Sequence, residues 1–184
     1  MKNFYILFII GICCGCASSY TDSKFFDCPS TENYKMDSDK KELIYKILKR
    51  AVVEEKDIPD YSLINDKKKI YIQDLWIESF WSEKPPKTFL VRSTEIPPQI
   101  NGVSFCLKSK SEMQIIADNT SGFTYLTLGV IKIDNNSATI GIDHGFQTKT
   151  NSNKVILAGG GYVWQFKKVN GEWMFDKILS HFQS

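Results

Sequence analysis

The sequence predicts an α+β fold in which one helix packs on a strongly bent antiparallel sheet. Three observations predict it: a single apolar stripe at helical spacing in residues 43–52, four long alternating segments in the C-terminal third, and glycines within those segments. The chain has 184 residues, of which 42% are hydrophobic, as expected for one globular domain. The formal net charge is only +2, so we expect no nucleic-acid partner.

The N-terminus is typical of an export signal. Lys2 precedes an apolar run from Phe4 to Ile12, which is about half of the ~20 residues that a membrane-spanning helix needs. The pair Gly15-Cys16 then resembles the processing site of bacterial lipoproteins, where a small residue precedes the lipidated cysteine. This resemblance implies a signal peptide at 1–15, a lipid on Cys16, and a lipid-anchored protein of the bacterial cell envelope that faces the periplasm or sits in the outer membrane. Cleavage near Ala17 is the alternative, and it would release a secreted protein.

A tether and a helix follow the anchor. Residues 16–37 are polar and without periodicity, which predicts a flexible tether before a single domain at 38–184. Asp39 and Glu42 have the spacing of a capping box, which predicts that the helix begins there. The stripe in 43–52 predicts the face that this helix buries.

The middle of the chain predicts short elements. Lys69–Ile77 reads as a strand, and Val103–Leu107 as a second one. Four prolines between 85 and 98 limit that stretch to one edge strand, Thr88–Arg92, because proline cannot donate to a sheet ladder. Ser111–Ala117 predicts one or two helical turns capped by Ser111.

The C-terminal third predicts a four-strand meander. Asn170-Gly171 is a strong hairpin signal before the last strand. Strands of about eleven residues exceed the usual ~5–6 and must bend, which the internal glycines permit. The predicted strands are Phe123–Ile133, Ala138–Thr148, Val155–Lys168 and Glu172–Phe182.

The segments 123–134, 138–142 and 159–177 resemble the sheet of nuclear-transport-factor-like (cystatin-like) domains, with a strand, a glycine turn, an aromatic residue and a final strand. The resemblance implies a cone with the helix in its concave face, as in small bacterial lipoproteins of no known activity. That superfamily contains isomerases, dehydratases, subunit-pairing modules and binding domains, so the likeness implies no single function. The proline-rich stretch 85–98 departs from the family, where short helices are usual.

Few residues offer chemistry. The sequence has two histidines and no metal-binding cysteine pair after the signal, so we predict no metal, no cofactor and no catalytic residue, and we favour a non-enzymatic protein. A pocket inside the cone is the alternative. Asp143 and His144 are neighbours on one strand and therefore face opposite sides. The candidate pocket residues are Asp143, His144, Tyr162, Trp164 and Asp176.

Two cysteines remain in the predicted domain region and its tether. An exported protein permits a disulfide between Cys28 and Cys106. Cys106 lies in an apolar strand, however, and a buried free cysteine is also consistent with that position. Sequence alone leaves both alternatives open.

Aromatic residues predict the interaction surface. Trp76, Phe80 and Trp81 precede Pro85-Pro86 on an irregular segment, where they either form an exposed patch that binds another envelope protein or cap the open end of the cone. We therefore predict a non-catalytic binding or accessory module, held at a membrane and contacting a protein. The alternatives are a small ligand of unspecified identity inside the cone, and an immunity or inhibitor protein.

Overall fold

The computed structural model describes residues 27–28, 34–56, 66–80, 85–152 and 159–183. The predicted signal peptide at 1–15, the predicted lipidation site Cys16, most of the predicted tether and Trp81 lie outside these ranges.

Within the described residues, nine strands form one open mixed sheet with the order β3-β4-β1-β5-β7-β8-β9. Two short strands extend it, because β2 pairs with β1 and β6 pairs with β7. The strands are β1 (Lys69–Ile77), β2 (Thr88–Leu90), β3 (Gln99–Ile100), β4 (Val103–Lys108), β5 (Phe123–Gly129), β6 (Lys132–Asp134), β7 (Ser137–Gln147), β8 (Gly160–Val169) and β9 (Glu172–Gln183).

The predicted meander is present as β5, β7, β8 and β9, each antiparallel to the next. Asn170 and Gly171 form its last hairpin with φ of 53° and 89°, the left-handed pair that a tight turn requires. The predicted strand Phe123–Ile133 is interrupted at Val130 and Ile131, so β5 and β6 pair with different parts of β7.

A parallel core was not predicted. Strand β1 is parallel to both β4 and β5, which flank it. Parallel strands need a crossover connection, and helix α2 (Lys110–Asn119) supplies it between β4 and β5, which lie on either side of β1. Its cap is Ser109 rather than Ser111, because the Ser109 hydroxyl accepts from the Glu112 amide and the Glu112 carboxylate accepts from the Ser109 amide.

Helix α1 (Asp39–Leu48) continues as a π-helical turn, Lys49–Val53. Its cap is Ser38, whose hydroxyl accepts from the Lys41 amide, so the predicted capping box at Asp39 is wrong by one residue. The acidic side chains of the first turn bind the last hairpin instead: Asp39 pairs with Lys168 at 2.6 Å, and Glu42 accepts from the Trp173 amide at 3.0 Å.

The core lies between α1 and one face of the sheet. The helix buries the predicted stripe, including Leu43, Ile44, Ile47 and Leu48, each 0% exposed. Trp164 and Phe166 of β8 are also buried in this cluster, whereas Tyr162 is only partly buried at its margin. Helix α2 covers part of the opposite face with Met113, Ile116 and Ala117, which pack on Phe123, Tyr71 and Tyr125.

Three of the sheet glycines lie against aromatic rings. A Cβ at Gly145 would lie 2.7 Å from the Tyr125 ring, and one at Gly129 would lie 3.0 Å from the Phe80 ring. The Phe80 ring also covers Gly141, opposite Gly129. Close approach of a ring is therefore the physical requirement for glycine at these three positions.

A disulfide joins Cys28 and Cys106, with the Cα atoms 4.7 Å apart. The sequence alone did not decide between this bond and a free buried cysteine. The Lys108 ammonium, whose residue is 5% exposed, donates to the Asp27 carbonyl at 2.9 Å. These two contacts fasten residues 27–28 to β4, so the region predicted as a free tether is attached to the domain at that point.

Candidate functional site

An apolar groove lies on the helix side of the sheet, at the N-terminal end of α1. It has a volume of about 330 Å³ and is lined by Lys40, Trp76, Phe89, Val130 and Ile131, the set called here the Trp76 groove. Trp76 and Phe89 are direct partners in the β1–β2 ladder and therefore point to the same face. The break between β5 and β6 supplies the other wall, because Val130 and Ile131 belong to neither strand.

Glu95 organises one edge of the Trp76 groove. Its carboxylate accepts from the Lys40 ammonium at 2.5 Å, the Arg92 amide at 3.0 Å and the Trp76 indole at 3.4 Å. Burial raises the pKa of Glu95, but these donors outweigh burial and hold the pKa below its usual value. The Lys40 ammonium also lies 4.6 Å from the centre of the Trp76 ring, a cation–π contact.

The rim of the Trp76 groove is exposed and apolar. Phe89 is 51% exposed, and the adjacent Leu90 on the other face is 74% exposed. All three residues of β2 are exposed, as are the preceding residues 85–87. An exposed aromatic side chain above an apolar hollow is a feature of surfaces that bind a partner.

The predicted aromatic residues do not form an exposed patch within the described part of the chain. Trp76 is 4% exposed, so of the two alternatives that the sequence left open, an exposed patch does not apply to this residue. Trp76 has the same position in the alternation of β1 as Ile70 and Ile72, which places the indole on the helix face as the floor of the groove. Phe80 lies on the other face against Gly129 and Gly141, and Trp81 lies outside the described residues.

Sequence reasoning missed the residues that form the Trp76 groove around this floor. Phe89 was assigned only to an edge strand, and Val130 and Ile131 were placed within a continuous strand. The signal that could have identified Phe89 was its position on an edge strand directly after Pro85-Pro86, since such strands expose their side chains.

The candidate pocket residues that the structure describes lie in packed surroundings. Trp164 is 0% exposed in the main core. The space around Asp143, His144 and Tyr162 admits no water molecule. Tyr162 instead stacks on exposed His181, with ring centres 5.8 Å apart.

The structure does not bring the two candidate carboxylates together. Asp143 lies opposite Gly161, which lies opposite Phe182. Asp176 is six residues from Phe182 along β9, about 20 Å away. The Asp176 carboxylate pairs with the Lys167 ammonium at 3.0 Å.

Asp143 has an unusual environment on the face opposite α1. It lies opposite Thr127, whose hydroxyl donates to the Gln73 side chain at 3.2 Å. Burial raises the pKa of Asp143 to about 6, although the backbone amides of Gly160 and His144 lower it. One carboxylate oxygen is buried without a hydrogen-bond partner among the described residues.

Within the described ranges, no group of three histidine, cysteine or acidic side chains is placed to hold a metal ion. In the same part of the chain, no helix is long and apolar enough to cross a membrane.

Comparison of the chain with protein-family models, with curated proteins and with solved structures found no match.

Proposed function

We propose that this chain is an exported accessory protein that binds another protein of the cell envelope through the Trp76 groove. The observation that carries the proposal is the half-exposed Phe89 above a hollow of about 330 Å³, at the lower end of the volume range of ligand-binding pockets. The filled interior supports a surface function over an internal pocket, because the core side chains occupy the space that a ligand would need.

Export and anchoring form the second part of the proposal. The signal-like N-terminus precedes Cys16, which would carry the lipid and hold the domain at the bacterial envelope membrane. The disulfide between Cys28 and Cys106 supports export, because such bonds persist in oxidising compartments. A helix packed on a C-terminal meander is compatible with a nuclear-transport-factor-like cone, which remains the proposed fold family.

Site-specific photo-crosslinking tests the groove. A photoreactive amino acid replaces Phe89 in one variant and Met174 in the control, since Met174 is 54% exposed on distant β9. We expect one adduct of defined mass in the native envelope from position 89 and none from position 174. A second change, Ile131→Arg, should abolish that adduct. Equal crosslinking from both positions, or none from position 89, would refute the proposed role.

Labelling with a radioactive fatty acid tests the anchor. We expect incorporation into the wild-type protein and none into Cys16→Ser. An unlabelled wild-type protein in the culture medium would instead indicate cleavage near Ala17.

A further inference from the structure

We propose that the partner binds as an extended segment that adds to the free edge of β2, with acidic residues flanking an apolar centre. This inference rests on the proposed function of the Trp76 groove and specifies the chemistry of its partner. Addition of a strand to a sheet edge is a common mode of peptide recognition, in which the backbone supplies affinity and alternate side chains supply specificity.

The backbone of β2 has one unused edge. Its pairing with β1 continues at both ends, where the Glu78 amide donates to the Lys87 carbonyl at 3.0 Å and the Val91 amide donates to the Asp74 carbonyl at 2.9 Å. Hydrogen-bonded pairs recur at every second residue of an antiparallel ladder. The backbone amide and carbonyl of Phe89 are therefore also directed at β1. Thr88 and Leu90 therefore direct their amides and carbonyls outward. Among the described strands, β2 pairs only with β1.

The strand β2 exposes an apolar side chain on each of its two faces, as binding of an apolar segment would require. Phe89 is directed to the helix face beside the Trp76 groove, and Leu90 to the opposite face. Leu90 is 74% exposed, a large apolar area for a side chain without a partner. An added strand with apolar residues at successive positions would cover Phe89 with one and Leu90 with the next.

Charge complementarity identifies the flanks of the segment. Lys87 and Arg92 are exposed at the two ends of β2, and neither forms an ion pair within the described residues. Acidic residues at the ends of the bound segment would meet these cations. Pro85 and Pro86 precede the strand and cannot donate to a ladder, which limits addition to a short segment of about three to five residues.

Two synthetic peptides test the charge requirement on the full chain: Asp-Val-Leu-Val-Asp and Lys-Val-Leu-Val-Lys, each with a fluorophore at one end. By fluorescence anisotropy we expect the acidic peptide to bind roughly tenfold more tightly at low salt. The double change Lys87→Glu with Arg92→Glu should reverse that preference. The matched control, Lys149→Glu with Lys177→Glu, changes two exposed cations elsewhere and should preserve it.

A proline substitution tests the backbone requirement. Leu90→Pro removes an outward amide and leaves the ladder to β1 intact, whereas Leu90→Ala retains the amide and removes the same apolar contact. We expect Leu90→Pro to bind the acidic peptide at least about fivefold more weakly than Leu90→Ala, with unchanged circular dichroism in both variants. Amide exchange at Thr88 and Leu90 should slow when the acidic peptide is bound.

Equal binding of the two peptides, or equal binding by the two Leu90 variants, would overturn strand addition. Crosslinking from position 89 would then still support the groove as a protein-binding surface, so the two proposals can fail separately. Self-association of the chain that Leu90→Pro abolishes, or binding of phosphatidylglycerol vesicles that competes with the peptide, would also overturn this inference by identifying a different occupant.

Discussion

Replacement of Asp143 by asparagine should change how the stability of the protein depends on pH. The carboxyl lies on the face of the sheet opposite α1, and burial raises its pKa to about 6 from an ordinary value of 3.8. The folded state therefore holds this proton more tightly than the unfolded state does. Asparagine has nearly the same shape and does not ionise. The stability of the variant therefore does not depend on protonation at this position.

The expected magnitude follows from the two pKa values. At ~1.36 kcal/mol for each pH unit, the difference between about 6 and 3.8 corresponds to about 3 kcal/mol. Since the pKa of Asp143 is raised in the folded state, its bound proton stabilises the folded protein. This stabilisation is complete below pH 3.8 and is lost as pH rises through 6. The wild-type protein should thus lose about 3 kcal/mol relative to Asp143→Asn between pH 3.5 and pH 7.5.

Urea denaturation of both proteins at several pH values measures this difference. Groups that titrate equally in the two proteins cancel when the free energies of unfolding are subtracted. Asp134→Asn is the control, because Asp134 is exposed on β6 and should show little relative change. A difference between wild type and Asp143→Asn that is constant from pH 3.5 to 7.5 would refute the reasoning, since it would mean that the carboxyl is solvated in the folded protein.

Three further changes test the structure. Cys28→Ser with Cys106→Ser opens a link across 78 residues and should lower the free energy of unfolding by about 4.5 kcal/mol in the loop-entropy treatment; a urea midpoint equal to that of the oxidised wild type would contradict it. Glu95→Gln should cost about 1 kcal/mol at pH 7 and less as pH falls, because the lowered pKa stabilises the folded state only where the carboxylate is ionised; a cost that persists unchanged at pH 3 argues against this. Gly145→Ala places a methyl against the Tyr125 ring and should lower thermal stability by about 1–3 kcal/mol; an unchanged melting temperature would show that the ring moves freely.

Local patterns predicted most of the elements. Strand Lys69–Ile77 has the predicted bounds, and the stripe in 43–52 is the buried face of α1. The hairpin at Asn170-Gly171 lies where the sequence predicts it. Asparagine and glycine adopt the left-handed backbone of a tight turn at low cost in free energy. These features depend on neighbouring residues in the chain, so periodicity and turn chemistry were sufficient.

The candidate site was less predictable. The sequence selected Trp76 as a surface residue, whereas the exposed aromatic residue is Phe89 and the indole is buried. Alternation along β1 places Trp76 on the same face as Ile70 and Ile72. It does not show that this face is covered, because Lys40 and Glu95, which contact the indole, are far from Trp76 in the chain.

The sequence by itself determined the class of fold, the helix, the meander and the small number of chemically reactive residues. The tertiary structure alone decided that β1 lies between two parallel strands, that Cys28 meets Cys106, that Asp143 is partly buried and that Trp164 lies in the core. The physical reason is the range of the interactions. Helix stripes and tight turns are determined within a few residues, whereas strand order, burial and cavities depend on side chains that are far apart in the chain and meet only when it folds.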